Sequence, residues 1–225
     1  MTSSLNEIVS NAQKGKGACF ECPAHADTCG SLVNPGLLNY NADLMVLTID
    51  PSHYIDWSQY DDWSAYNDDK GEEFKTEMDG GPKLQRLLNG VPGISIDDIW
   101  LADAIKCPVN NSRAGDVDSD EAFDHCSEYL EREIAEVDPE LILAMGAAPG
   151  EQVLEGYFRL CLNWLRTGSR DTALRTGSRD AGRIFDTDPP VVVSPHWSSK
   201  GNWLDRNNNR ENVQIAIREV LDYRD

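Results

Sequence analysis

Positive charge is scarce in this sequence. Lysine and arginine total 20 against 39 aspartates and glutamates, only seven of the 20 are lysine, and the formal net charge is −19. Such a chain does not belong with proteins that hold nucleic acid on a broadly basic surface, so any nucleic-acid contact has to come from local features. The acid is not gathered in a tail. It is spread over "SQYDDWSAYNDDKGEEF", "DVDSDEAFD" and "EYLEREIAEVDPE". Self-repulsion on this scale opposes a compact state at low ionic strength, and it is screened once the Debye length falls to about 3 Å near 1 M salt. The composition therefore reads as that of a halophile protein working in a salt-rich cytosol.

Long apolar runs are also missing. No stretch approaches the ~18 residues that a membrane-spanning helix needs. The opening "MTSSLNEIVSNAQKGKG" has no apolar segment of the kind a secretory signal carries. Residues 1–18 read instead as a polar helix, and the protein as a cytoplasmic monomer with no membrane partner. With 225 residues and 40% hydrophobic content, residues 1–225 are expected to form one domain around one core.

What is present is a set of short apolar runs: "LMVLTI" (44–49), "IWLADAI" (99–105), "ELILAM" (140–145) and "PVVVS" (190–194). Near-continuous apolar runs of this length are what parallel strands covered on both faces require. Helical patterns alternate with them at 82–88, 120–137, 150–165 and 210–223. The expected architecture is a three-layer α/β/α sandwich with a central four-stranded, mostly parallel sheet. Ligands in such sheets bind at the carboxyl ends of the strands. The segment "LRTGSRDTA" (165–173) is repeated at once as "LRTGSRDAG" (174–182). A nine-residue period used twice is too short for a solenoid. Residues 166–183 read as a duplicated basic loop insertion that either meets phosphates or is a tolerated duplication.

Six cysteines occur, at 19, 22, 29, 107, 126 and 161. A reducing compartment disfavours a disulfide framework and favours ligation. Cys19 and Cys22 form a CxxC pair ahead of the first strand. Cys107 follows the second strand and Cys126 lies on the next helix. Four thiolates from two distant segments make a tetrahedral set that suits either zinc or a 4Fe–4S cluster. Cys161 falls in the apolar pattern of a helix, and Cys29 is an alternative ligand or a free thiol.

The order of these features resembles one known family. An N-terminal CxxC, a strand ending in Asp50-Pro51, "IKCPVNN", "C-x-x-YL" on a helix, "DPELILAMG" and "SPHWS" succeed one another as in the uracil-DNA glycosylase superfamily, most like its iron–sulfur branch. The resemblance covers roughly residues 19–160 and 190–220. It implies a base-excision enzyme that is monofunctional, acts on DNA containing a damaged base, and carries a 4Fe–4S cluster on Cys19, Cys22, Cys107 and Cys126, with zinc as the alternative. A superfamily member acting only as an iron–sulfur nucleic-acid-binding or accessory protein is the competing expectation.

Hydrolysis of an N-glycosidic bond passes through a cationic sugar and a base anion. Asp50 resembles the superfamily's water-positioning aspartate, and His196 is the expected donor to the leaving base. Pro51, His53 and Phe74 are candidate base contacts. Trp197, Ser198, Ser199 and Lys200 are candidate DNA contacts beside the minor groove. In "ADAIKC", Asp103 stands where the family pattern has an asparagine. Asparagine both donates and accepts, whereas an ionised aspartate only accepts. Asp103 therefore puts uracil specificity in question and suits an exocyclic amino group.

Overall fold

A computed structural model of the chain describes residues 36–48, 59–78, 80–106, 119–146, 181–186, 188–195 and 203–221. The expected helix at 1–18, the helix at 150–165 and almost all of the duplicated segment lie outside these residues.

All four apolar runs become strands. β1 is Leu37–Leu38, β2 Leu44–Thr48, β3 Ile99–Asp103, β4 Leu141–Gly146, β5 Ile184–Phe185 and β6 Val191–Pro195. The sheet order is β1-β3-β2-β4-β6-β5. β3, β2, β4 and β6 are mutually parallel, and β1 and β5 pair antiparallel at the two edges. The sheet is thus six-stranded where four strands were expected. The two additional strands have two residues each, too short to register as apolar runs. Every residue of β2, β3 and β6 is buried. Successive side chains of a strand point to opposite faces, so both faces of the sheet are covered, as in a three-layer α/β fold.

Among the described residues the helices are α1 (Trp63–Thr76), α2 (Gly80–Leu88), α3 (Ser119–Val137) and α4 (Asn209–Val220). Three of them fall where the apolar spacing puts them. α1 does not: it occupies an acidic, aromatic-rich stretch with no strong apolar pattern. It forms because Asp62 caps it, the side chain accepting the Ala65 N–H at 3.0 Å. A narrow stripe of Trp63, Tyr66, Gly71 and Phe74 is buried while the carboxylates face outward.

Two close approaches fix how the helices meet. A Cβ on Gly81 would stand 1.9 Å from the Phe74 carbonyl oxygen, so only glycine lets α2 begin against the end of α1. The Gln214 side chain of α4 donates to the Leu87 carbonyl at 2.7 Å, closing the end of α2 against α4. Leu84, Leu87 and Leu88 are fully buried beneath this contact.

The last residues of the basic segment are anchored rather than free. The Gly182 N–H donates to the Val193 carbonyl at 2.9 Å, and Arg183 stacks 5.0 Å from the Phe185 ring centroid.

Candidate active site at the ends of strands β2 and β3

β2 and β3 pair in register from Leu44↔Ile99 to Thr48↔Asp103. Thr48 and Asp103 therefore finish neighbouring strands side by side on one face of the sheet, at its carboxyl edge. Both are buried, at 5% and 7% exposure. A polar pair at this depth needs hydrogen bonds, and the Thr48 hydroxyl donates to Oδ1 of Asp103. The Ala104 N–H donates to the Thr48 carbonyl at 2.9 Å and holds the two strand ends together one residue further on.

The negative charge of Asp103 reaches two other elements. Tyr66 on α1 is 3% exposed. Its hydroxyl is held far above the ordinary tyrosine range, first by burial and then by the Asp103 charge. Glu133 on α3 is also pushed up, chiefly by burial. Its contact with the Lys106 ammonium and the hydrogen bond from the Trp100 indole pull it back, while Asp103 adds to the upward push. One carboxylate at the end of β3 thus conditions groups on α1 and α3.

A second polar group lies just beyond. The Lys106 ammonium contacts Oε2 of Glu133, and the Trp100 indole N–H donates to Oε1 of the same carboxylate at 2.8 Å. Both members of the ion pair are almost wholly enclosed. The Lys106 backbone N–H donates to the sulfur of Cys126 at 3.5 Å.

Of the candidate site residues, Asp103 and Cys126 are both buried. Phe74, a candidate base contact, is 4% exposed and lies among the core residues. Tyr60, from the same aromatic stretch, donates to Asp69 at the surface at 2.6 Å. Asp50, Pro51 and His53 follow β2 directly in the chain, and His196, Trp197, Ser198, Ser199 and Lys200 follow β6. These, with Cys19, Cys22 and Cys107, lie outside the described residues. Sequence reasoning missed Thr48, Tyr66, Trp100 and Glu133. Thr48 carried a signal, as the one polar residue within the run 44–49; the other three carried none.

β2 has β3 on one side and β4 on the other, so the chain leaves β2 and returns to opposite flanks. That reversal makes the crevice at the carboxyl ends of the central strands the place where an α/β fold of this kind takes its ligand. The fold and the buried polar strand ends thus define an α/β protein whose candidate ligand site is the β2–β3 edge. The sequence model of the uracil DNA glycosylase superfamily matches residues 35–220, and the chain belongs to that superfamily. A type-4 uracil-DNA glycosylase of Saccharolobus solfataricus is 36% identical over 66 residues, a stretch that spans 29% of the length of each chain.

Among the described residues no three histidine, cysteine, aspartate or glutamate side chains converge as a metal site. Cys126 could nonetheless be one ligand of a cluster: it is a thiol on α3 whose sulfur accepts the Lys106 backbone N–H. The next residue after that N–H donor is Cys107. Among the described residues no helix is long and apolar enough to cross a membrane.

Proposed function

We propose that this protein is a monofunctional DNA base-excision glycosylase that hydrolyses the N-glycosidic bond of uracil or another deaminated or damaged base. The observation that carries the reading is the buried Thr48–Asp103 pair at the carboxyl edge of the sheet in a chain of this superfamily. The type-4 name of the Saccharolobus solfataricus relative supports the iron–sulfur version.

In this reading Asp103 reads the extruded base. The Thr48 hydroxyl fixes one carboxylate oxygen and so sets the plane in which the carboxylate accepts a hydrogen bond from the base edge. An accepting group suits the N3–H of uracil or an exocyclic amino group, and it repels a carbonyl such as uracil O4. Asp50 is assigned to position water against the cationic sugar. His196 is assigned to donate to the leaving base, and Trp197, Ser198, Ser199 and Lys200 to meet the DNA beside it. Pro51 and His53 flank the base. Cys19, Cys22, Cys107 and Cys126 would hold a 4Fe–4S cluster, which when bound ties the surrounding chain segments together. The net charge of −19 favours a salt-rich working environment.

The test is excision from single-stranded oligonucleotides carrying uracil, hypoxanthine or other altered bases, in high potassium chloride, followed by alkali. Strand breaks at one of the altered bases are expected, and Asp50→Ala or His196→Ala is expected to reduce them. Tight binding with no breaks at any base would replace the enzyme reading with that of an accessory nucleic-acid-binding protein.

A further inference from the structure

Residue 106 is held to α3 at two separate points. Its backbone N–H donates to the Cys126 sulfur at 3.5 Å, and its ammonium contacts Glu133. Cys126 and Glu133 are seven residues apart, two turns and roughly 10 Å along one face of the helix. The residue therefore ties the β3 exit to two points on one face of α3, by its backbone at Cys126 and by its ammonium at Glu133, fixing both the height and the rotation of the exit against the helix.

The far end of this brace is itself held. Oε1 of Glu133 receives the Trp100 indole N–H at 2.8 Å. Trp100 is boxed by Trp63, with ring centroids 5.6 Å apart, and by Tyr40, edge-on at 5.4 Å. The Trp63 indole donates to the Gly36 carbonyl at 3.1 Å. A Cβ on Gly36 would stand 2.3 Å from the Trp100 ring and 2.8 Å from Oε1 of Glu133, and its φ of 88° already requires glycine. Tyr40 donates to Glu136, one turn further along α3. A buried ion pair contributes little net stability compared with apolar residues of the same size, because desolvation offsets the attraction. What it supplies is one defined geometry.

We propose that Lys106, with Glu133 and Trp100, is a positioning device that locks the β3 exit in register with α3, so that Cys126 is presented in ligating geometry beside the segment that leads into Cys107. The inference rests on the reading of Cys126 as a cluster ligand. Its role is distinct from general stabilisation: removing both charges together should restore the fold but not the register.

The experiment compares iron per chain, visible absorbance and its bleaching under a chelator, and thermal melting, in anaerobically purified full-length protein. The set is the parent, Lys106→Met, Glu133→Gln and the double replacement Lys106→Met with Glu133→Met. Partners that orient metal ligands typically contribute about 10–100-fold in metal retention. Lys106→Met should lower the melting temperature and bleach at least about tenfold faster. Glu133→Gln, whose single amide oxygen can accept from only one of Trp100 and Lys106 and which leaves the buried ammonium without its counter-charge, should bleach nearly as fast as Lys106→Met. The double variant should melt close to the parent yet bleach as fast as Lys106→Met. A double variant with parental melting and parental iron retention overturns the register lock while leaving the cluster reading intact. A parent protein that holds zinc or no metal overturns the cluster reading, and this inference with it.

Discussion

Two buried polar groups, one closing β3 and one three residues beyond it, are built differently. At Lys106 an ammonium and a carboxylate meet in contact, with an indole N–H on the remaining oxygen. At Asp103 a carboxylate meets a neutral hydroxyl. The first arrangement answers a charge with a charge and leaves little for a visitor to change. In the second, a neutral hydroxyl donates to one carboxylate oxygen, at the strand end where this fold takes ligands. If Asp103 reads the base as proposed, the difference separates a group that holds position from one that meets a ligand.

The comparison breaks most readily at the ion pair. Lys106→Met leaves Glu133 buried without its cation and should destabilise the protein by about 3–5 kcal/mol, read from denaturant unfolding in concentrated potassium chloride, with most of the loss recovered in the double Met variant. Equal losses in the single and double variants would show that apolar packing of the lysine stem, and not the uncompensated charge, dominates there.

Next in size is Thr48→Val. It removes the hydroxyl donor with little change in shape and should cost about 1–3 kcal/mol, because the Asp103 oxygen loses its hydrogen bond in a buried site. A loss as large as that of Lys106→Met would erase the proposed distinction between the two groups.

Asp103→Asn should hardly move stability, since the amide oxygen still accepts from Thr48. It should raise excision of uracil roughly tenfold or more, the value of one matched polar contact replacing a repulsive one. Unchanged uracil excision in an active enzyme would remove Asp103 from the base pocket.

The smallest effect belongs to the surface. The Tyr60 hydroxyl holds the exposed Asp69 carboxyl below its usual range, aided by Lys70. A depressed carboxylate contributes stability that is present above its unfolded pKa and lost as pH falls through its folded value. Tyr60→Phe should return Asp69 toward the ordinary carboxylate range in a pH titration followed by NMR, with no resolvable change at neutral pH.

Much of this was legible in the residues, and the limits have physical causes. The four parallel strands were readable because burial on both faces demands uninterrupted apolar runs such as "LMVLT" and "VVVSP". α2, α3 and α4 were readable from their amphipathic spacing. α1 was not, since its buried stripe is interrupted by Gly71 and its carboxylates hide the pattern. β1 and β5 were not, because two residues carry no period. In the site, Asp103 stood out against a family pattern, but nothing local tied it to Thr48, 55 residues earlier, or tied Lys106 to Glu133, 27 residues later.

The sequence by itself determined the class of fold and the superfamily, because hydrophobic periodicity and the order of motifs are written directly in the chain. Only the tertiary structure decided which polar residues meet. Strand register set Thr48 against Asp103, and helix packing brought Glu133 and Cys126 onto Lys106. Contacts between distant segments depend on how the sheet and helices pack together, and no short stretch of sequence encodes that.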